Sequence, residues 1–435
     1  MATSLPRPRQ SRNRPPQRPS AQHPPSQGGP PRRSRSSPAV IIAVRRIFGA
    51  ETGNYFLLLG ATLFLVAFGL VMVLSSSAVE SFRATGDSFT GFLSQAVFAL
   101  LGVPLMLVAA RMPSVFWRKW AGAAMIVAIA LQFLVVATDL GIEHNGNRNW
   151  IGFGSFTFQP SEVVKVALVI WLGLMLSKKI DVLDDWRELV RPIGIVATVA
   201  IGFVMLGGDL GTVIILVAIV LGAFFFAGVR LRLLAIPTVA IVVAGLVLSL
   251  AGGSRQLRIE AWQVGCVKDS DAHDLCWQTV HGWWALASGG LFGAGLGNSK
   301  AKWSWLPEAD NDFIFAVIGE ELGLLGAILV LALFVVLAIS FVRIIRASTD
   351  AFARITVSSV MVWVLGQAFV NIAVVLGLLP VLGVPLPLIS AGGSSLVTTL
   401  FAIGIVLSFA RHQDRPTMDL TAAPMQRTAQ PRARR

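Results

Sequence analysis

A chain of 435 residues with 54% hydrophobic and only 14% charged side chains is an integral membrane protein, because a soluble domain carries about 25% charge. The net charge of +13 sits at the two ends: residues 1–46 hold ten Arg and no acid, and residues 411–435 hold six Arg and two Asp. The body between them is near neutral, so the high pI is no sign of a nucleic-acid-binding fold. The sequence has no HExxH, GxxxxGK[ST] or GxGxxG pattern, which leaves zincin, ATPase and dinucleotide-enzyme readings without support.

In chain order, residues 1–46 read as a disordered, solvated tail rich in Pro and Arg, with no apolar run for a signal peptide. Its plain use is attraction to anionic lipid. Pro16-Gln17-Arg18-Pro19 leaves a polyproline ligand open. Apolar runs then fall at about 54–74, 91–110, 118–138, 160–177, 192–206, 211–228, 233–251, 313–342, 355–379 and 385–410. The expectation is an all-α polytopic bundle of about ten transmembrane helices spanning residues 47–410, followed by a basic tail at 411–435. An even number of spans puts both tails on one side. Most Arg and Lys fall in the tails and in the loops on that side, so both termini are expected to be cytoplasmic.

Residues 252–312 form the one large extracytoplasmic loop. It holds Trp262, Trp277, Trp283, Trp284, Trp303 and Trp305, which suit an interfacial belt or stacking against sugar. Cys266 and Cys276 share this oxidising side, which favours a structural disulfide over two free thiols.

Ionisable groups inside a bilayer are costly and are functional candidates by default. Asn149-Trp150-Ile151-Gly152 follows Arg148, and Gln159-Pro160-Ser161-Glu162 opens the fourth span, with Lys165 one turn on. Pro160 suits a first helical turn, Glu162 the positive helix end, and Lys165 the same face as Glu162. The pair reads as a structural ion pair or as a cation offered to a phosphate headgroup. Gly207-Gly208-Asp209 is a tight turn in which Asp209 caps the next helix. Glu308, Asp310 and Asp312 stand at the mouth of the eighth span, with Glu320 and Glu321 about 12 Å deeper. Asp312 abuts an apolar aromatic run, so it is either a general base made useful by desolvation or the N-cap of that helix. Ser390-Ala391-Gly392-Gly393-Ser394-Ser395 reads as a re-entrant or tightly packed element. It is no nucleophile elbow, because Leu388 stands where GxSxG needs Gly.

The stretches NRNWIGFGSFTFQPSEVVK, GGDLGT, GGLFGAGLGNSKAKWSWLPEADNDFIFAVIGEELG and GVPLPLISAGGSS resemble, in order and spacing, the hallmark stretches of the SEDS family (shape, elongation, division and sporulation) over about residues 50–412. The opening GLVMVLSSSAVES and the ISAGGSS stretch favour the division branch over the elongation branch. The resemblance implies a peptidoglycan glycosyltransferase that polymerises lipid II outside the bacterial cytoplasmic membrane at the division septum and releases undecaprenyl diphosphate. It implies that Asp312 is catalytic, that Arg148, Glu162 and Lys165 line a central cavity, and that Glu308 and Lys302 flank its mouth. It also implies a class B penicillin-binding protein as transpeptidase partner, alongside other division proteins. A divalent cation, Mg or Mn, held by carboxylates stays open. Gly207-Gly208 stands where the family commonly has Gln-Pro, and Ala391 where it has an aromatic. The competing class is a lipid II flippase, which would need polar groups running from one face to the other.

Overall fold

The computed structural model describes residues 53–411 apart from 145–146, 154–155, 184, 236–258, 260–261, 264, 267–275 and 304. The two basic tails, the polyproline motif and the run at 233–251 expected to form the seventh span lie wholly or mostly outside the described residues.

Eight described helices are long and apolar enough to cross a membrane: α1 (Gly53–Thr85), α2 (Thr90–Ala109), α3 (Ser114–Ala137), α4 (Pro160–Lys178), α6 (Leu210–Ala227), α8 (Ile314–Ala347), α9 (Ala351–Val375) and α10 (Gly393–Arg411). Between α4 and α6 lies the shorter α5 (Ile195–Leu206), preceded by a π turn over Val190–Gly194 that contains Pro192. A proline has no N–H for a regular ladder, so this span starts later than the apolar run suggests. One further helix, α7 (Trp277–Gly289), lies in the segment expected to be a loop.

Burial separates the helices into two kinds. In α4 and α10, 83% of the membrane-length window is buried, against 28% in α2, α3 and α8. The first two are central, and the others turn rows of Leu, Val and Phe outward, as helices facing lipid must. α4 packs on α3, α6, α9 and α10, while α8 packs on α1 and α7.

Two apolar runs are not the helices their composition suggests. The run at 385–410 becomes helical only at Gly393, because Pro385 and Pro387 interrupt it. The eighth span breaks at Gly323, whose φ of 69° is left-handed. The backbone groups freed at the break find partners in the preceding loop: Leu324 N donates to Gly290 O at 2.9 Å, while the Glu320 and Glu321 carbonyls accept from Ala294 N and Gly295 N.

A three-stranded antiparallel meander, absent from the sequence reading, joins α3 to α4: β1 (Gly141–His144), β2 (Asn147–Phe153) and β3 (Phe156–Phe158). Ile151 pairs with Gly141 on one side and with Phe158 on the other. Arg148 N donates to Gly207 O at 2.9 Å, which fastens β2 to the turn before α6.

Candidate functional site

A cavity of 820 Å³ opens at the end of the bundle that bears the meander. Its walls come from places where helices begin. Gln159 is the N-cap of α4, Asp209 that of α6, Asp312 precedes the N-cap of α8, and Gly392, Ser394 and Ser395 stand at the start of α10. Each helix start carries a partial positive charge and unpaired amides. The N-terminal ends of α4 and α8 have no side-chain cap. Four such ends face one chamber, whose wall carries the Asp209, Glu308 and Asp312 carboxylates and, among the described residues, no Lys or Arg.

Asp312 is 8% exposed and lies on the cavity wall. The N-cap of α8 is Phe313, so the capping role considered for Asp312 is not the one it has. Its backbone is fixed from two sides. Asn371 Nδ2 donates to both Asp312 O and Val384 O at 2.8 Å. Ser390 Oγ donates to Asn311 O at 2.7 Å, and Ala391 N donates to Asp310 O at 2.8 Å. The non-helical run 380–392 is thus the back plate of the Asp310–Asp312 turn. Opposite the carboxylate stands Gly383, with φ +70°, where a Cβ would lie 3.7 Å from Asp312 Oδ2. Glu308 is at the mouth in a left-handed conformation (φ 55°) and accepts from Asn311 Nδ2 at 3.3 Å.

Asp209 is the second carboxylate on the wall. It accepts from Thr212 N at 2.9 Å and from Gln159 Nε2 at 2.8 Å. Burial pushes its carboxyl above the usual range, against the lowering effect of its bonds to Thr212 and of Lys165. Asp310, beside the cavity, is raised from 3.8 to about 6 by burial and then by the nearby Glu80 carboxylate.

The remaining candidates lie around this chamber, not on its wall. Arg148 reaches back to the end of α3, donating to Thr138 O at 2.7 Å and pairing with Asp139 at 3.2 Å. Lys165 and Glu162 form a 2.8 Å ion pair with side chains 2% and 4% exposed. Lys165 Nζ also donates to Gln367 Oε1 at 3.1 Å and sits 4.9 Å over the Trp363 ring. Gln367 Nε2 in turn donates to Pro385 O at 2.9 Å. The pair is therefore wired to the back plate of Asp312 through one side chain. Lys302 reaches Gly297 O and, at 3.4 Å, Glu321. Cys266 and Cys276 are joined by a disulfide.

Sequence reasoning passed over Asn149, Gln159 and Asn311, which line the cavity, and placed little weight on Asp209. The available signal for Gln159 and Asn311 was their position, at a helix start and in the Asp312 turn, whereas Asn149 lies inside β2. The described residues include no group of three or more His, Cys, Asp or Glu able to hold a metal ion.

A family model described as "Cell cycle protein" (FtsW, RodA, SpoVE) matches residues 56–415. The "Probable peptidoglycan glycosyltransferase FtsW" of Mycobacterium tuberculosis is 39% identical over 382 residues, covering 87% of this chain and 72% of that protein. The "Stage V sporulation protein E" of Bacillus subtilis is 35% identical, covering 83% and 98%. Among solved structures, a chain from "Structural coordination of polymerization and crosslinking by a peptidoglycan synthase complex" is similar, with TM-score 0.67 at 24% identity over 82% of this chain and 98% of that one. The rod shape determining protein RodA of Thermus thermophilus is similar with TM-score 0.61 at 24% identity, covering 83% and 98%. At that identity the two structures speak to the fold alone.

Proposed function

This chain belongs to the FtsW/RodA/SpoVE family, and we propose that its cavity is where a membrane-embedded peptidoglycan glycosyltransferase joins lipid II into glycan strands. The observation that carries this reading is Asp312, a carboxylate held by its backbone on the wall of a chamber surrounded by four helix starts. In the reaction, the 4-hydroxyl oxygen of the incoming lipid II sugar attacks the anomeric carbon of the growing strand. The bond from that carbon to undecaprenyl diphosphate breaks, and the hydroxyl proton passes to Asp312 as general base.

The leaving diphosphate needs hydrogen-bond donors, and the amides left without side-chain caps at the starts of α4 and α8 offer them. Asn149, Gln159, Asn311, Ser394 and Ser395 offer neutral hydrogen bonds to sugar and phosphate oxygens. Glu308 marks the mouth. In this reading Glu162, Lys165, Arg148 and Lys302 are positioning residues that act from behind the wall. The prenyl tail stays among the apolar helices while the headgroup enters the chamber.

The site belongs on the outer face, with both termini cytoplasmic, because Arg and Lys concentrate in the tails and in the loops of the opposite side. Action at the division septum follows the naming of the relatives. Crosslinking of the strands falls to a class B penicillin-binding protein, since the chain's one SxxK stretch, Ser299-Lys300-Ala301-Lys302, is buried with Ser299 Oγ donating to Glu320 and Lys302 paired with Glu321. The flippase alternative needs a polar relay, but Glu320 and Glu321 are occupied by Ser299, the Lys300 and Ala301 amides, Ser75 and Lys302. The test is glycan synthesis from purified lipid II with the partner present. Wild-type product and none from Asp312→Asn supports the reading, and headgroup translocation without polymer overturns it.

A further inference from the structure

Beside the cavity, α7 carries a feature that this reaction does not use. His281 is 5% exposed and caged by three Trp, with ring centroids 4.0 Å from Trp277, 4.8 Å from Trp284 and 5.8 Å from Trp305. Its Nδ1 lies 2.7 Å from Trp277 O. A carbonyl only accepts, so Nδ1 holds a proton, and in the tautomer protonated there alone Nε2 offers a lone pair. Nε2 is buried with no hydrogen-bond partner among the described residues. Such an acceptor is costly to leave unmet.

His281 lies on the wall of a 480 Å³ cleft with Trp284, Trp303 and Trp305, which are 56%, 57% and 55% exposed. Trp277 and Trp305 are nearly parallel, 9° apart at 6.1 Å. A membrane belt accounts for outward Trp but not for parallel rings around a buried acceptor. A lipid chain or an apolar helix would cover the rings and leave Nε2 without a donor. The occupant must join an apolar face to a hydroxyl donor, which is the chemistry of a pyranose ring: its C–H face lies on indole and its hydroxyls donate.

The helix α7 also runs from the cavity to the cleft. Gln278 borders the cavity and donates to Pro307 O at 3.2 Å, and Pro307 borders it too. Gln278, His281, Ala285 and Ser288 then follow one face of α7 at helical spacing, a path of about 15 Å at ~1.5 Å per residue. We propose that this aromatic cleft is a saccharide subsite that holds the glycan strand as it leaves the cavity. Its assignment to the product strand rests on the glycosyltransferase reading.

The test uses the full chain in lipid nanodiscs, titrated with a soluble β-1,4-linked N-acetylglucosamine oligosaccharide and followed by Trp fluorescence. Saturable binding is expected for the wild type. His281→Phe keeps the stacking ring but loses the acceptor, and Trp303→Ala removes an exposed ring with little effect on folding. Each should weaken binding about tenfold and shorten the strands made at equal lipid II consumed. Absence of saturable binding, or equal affinity in both variants, overturns the subsite. So does quenching by brominated acyl chains that the oligosaccharide does not displace, which would make the cleft a lipid site. A wild type that binds the oligosaccharide yet polymerises nothing would instead remove the glycosyltransferase reading and leave a saccharide site standing.

Discussion

Two sets of buried carboxylates lie about two turns apart around α8, and the chain treats them in opposite ways. Glu321 is fully buried, and its oxygens take Ser75 Oγ at 2.7 Å, Ser299 N and Lys302 Nζ at 3.4 Å. Glu320 takes Ser299 Oγ at 2.5 Å and the amides of Lys300 and Ala301. These bonds spend the carboxylates on holding the 290–302 loop against the break at Gly323. Asp312 is held by a grip on its backbone that leaves its carboxylate on the wall of an 820 Å³ chamber. Burial is similar in the two regions. What differs is whether the surrounding groups belong to the chain itself or to an open space, and that separates a carboxylate used for architecture from one available for chemistry.

The comparison breaks most sharply at Asp312. Asp312→Asn should lower lipid II polymerisation by a factor on the order of 10²–10⁴, the usual range for losing a general base. Thermal unfolding should stay near wild type, because Asn371 grips the backbone and not the carboxylate. Near-normal polymer from this variant would return Asp312 to a structural role.

Glu321→Ala should do the reverse. Stranding Lys302 and releasing the loop should cost about 3–5 kcal/mol, read as a lower unfolding temperature in nanodiscs, with activity lost alongside the fold. If polymerisation fell while unfolding stayed wild type, Glu321 would belong with the chemical set.

Glu162 and Lys165 sharpen the distinction by a double-mutant cycle. Lys165→Met strands a buried carboxylate. Adding Glu162→Gln should regain about 2 kcal/mol of stability and, with it, part of the activity. A double variant that is stable yet inactive would show that the lysine contacts substrate directly.

The last test is a pH slope. Asp310 is raised from 3.8 to about 6, so the folded state holds its proton more tightly than the unfolded chain does. Stability should therefore fall as pH rises from about 4 to 6 and level off above. Asp310→Asn should flatten that slope in unfolding measured across the window. An unchanged slope would assign the titration to another group.

Hydropathy alone located the eight long spans, because a lipid-exposed backbone must satisfy its own hydrogen bonds and must be clothed in apolar side chains wherever it crosses. That is a local demand, written residue by residue. The Glu162–Lys165 contact was legible for the same reason, since three residues on a helix bring two side chains together. So was Asp312, as a carboxylate at the edge of an apolar run. Tertiary structure alone decided the meander at 141–158, whose short strands are defined by pairing and not by length. It also decided the break at Gly323, which holds because a distant loop supplies partners for the freed backbone groups. The gathering of Gln159, Asp209, Asp312 and Ser394 around one chamber depends on how four helix starts pack. The allocation of each buried carboxylate depends on donors that lie up to 246 residues away in the chain, a distance over which periodicity and propensity carry no information.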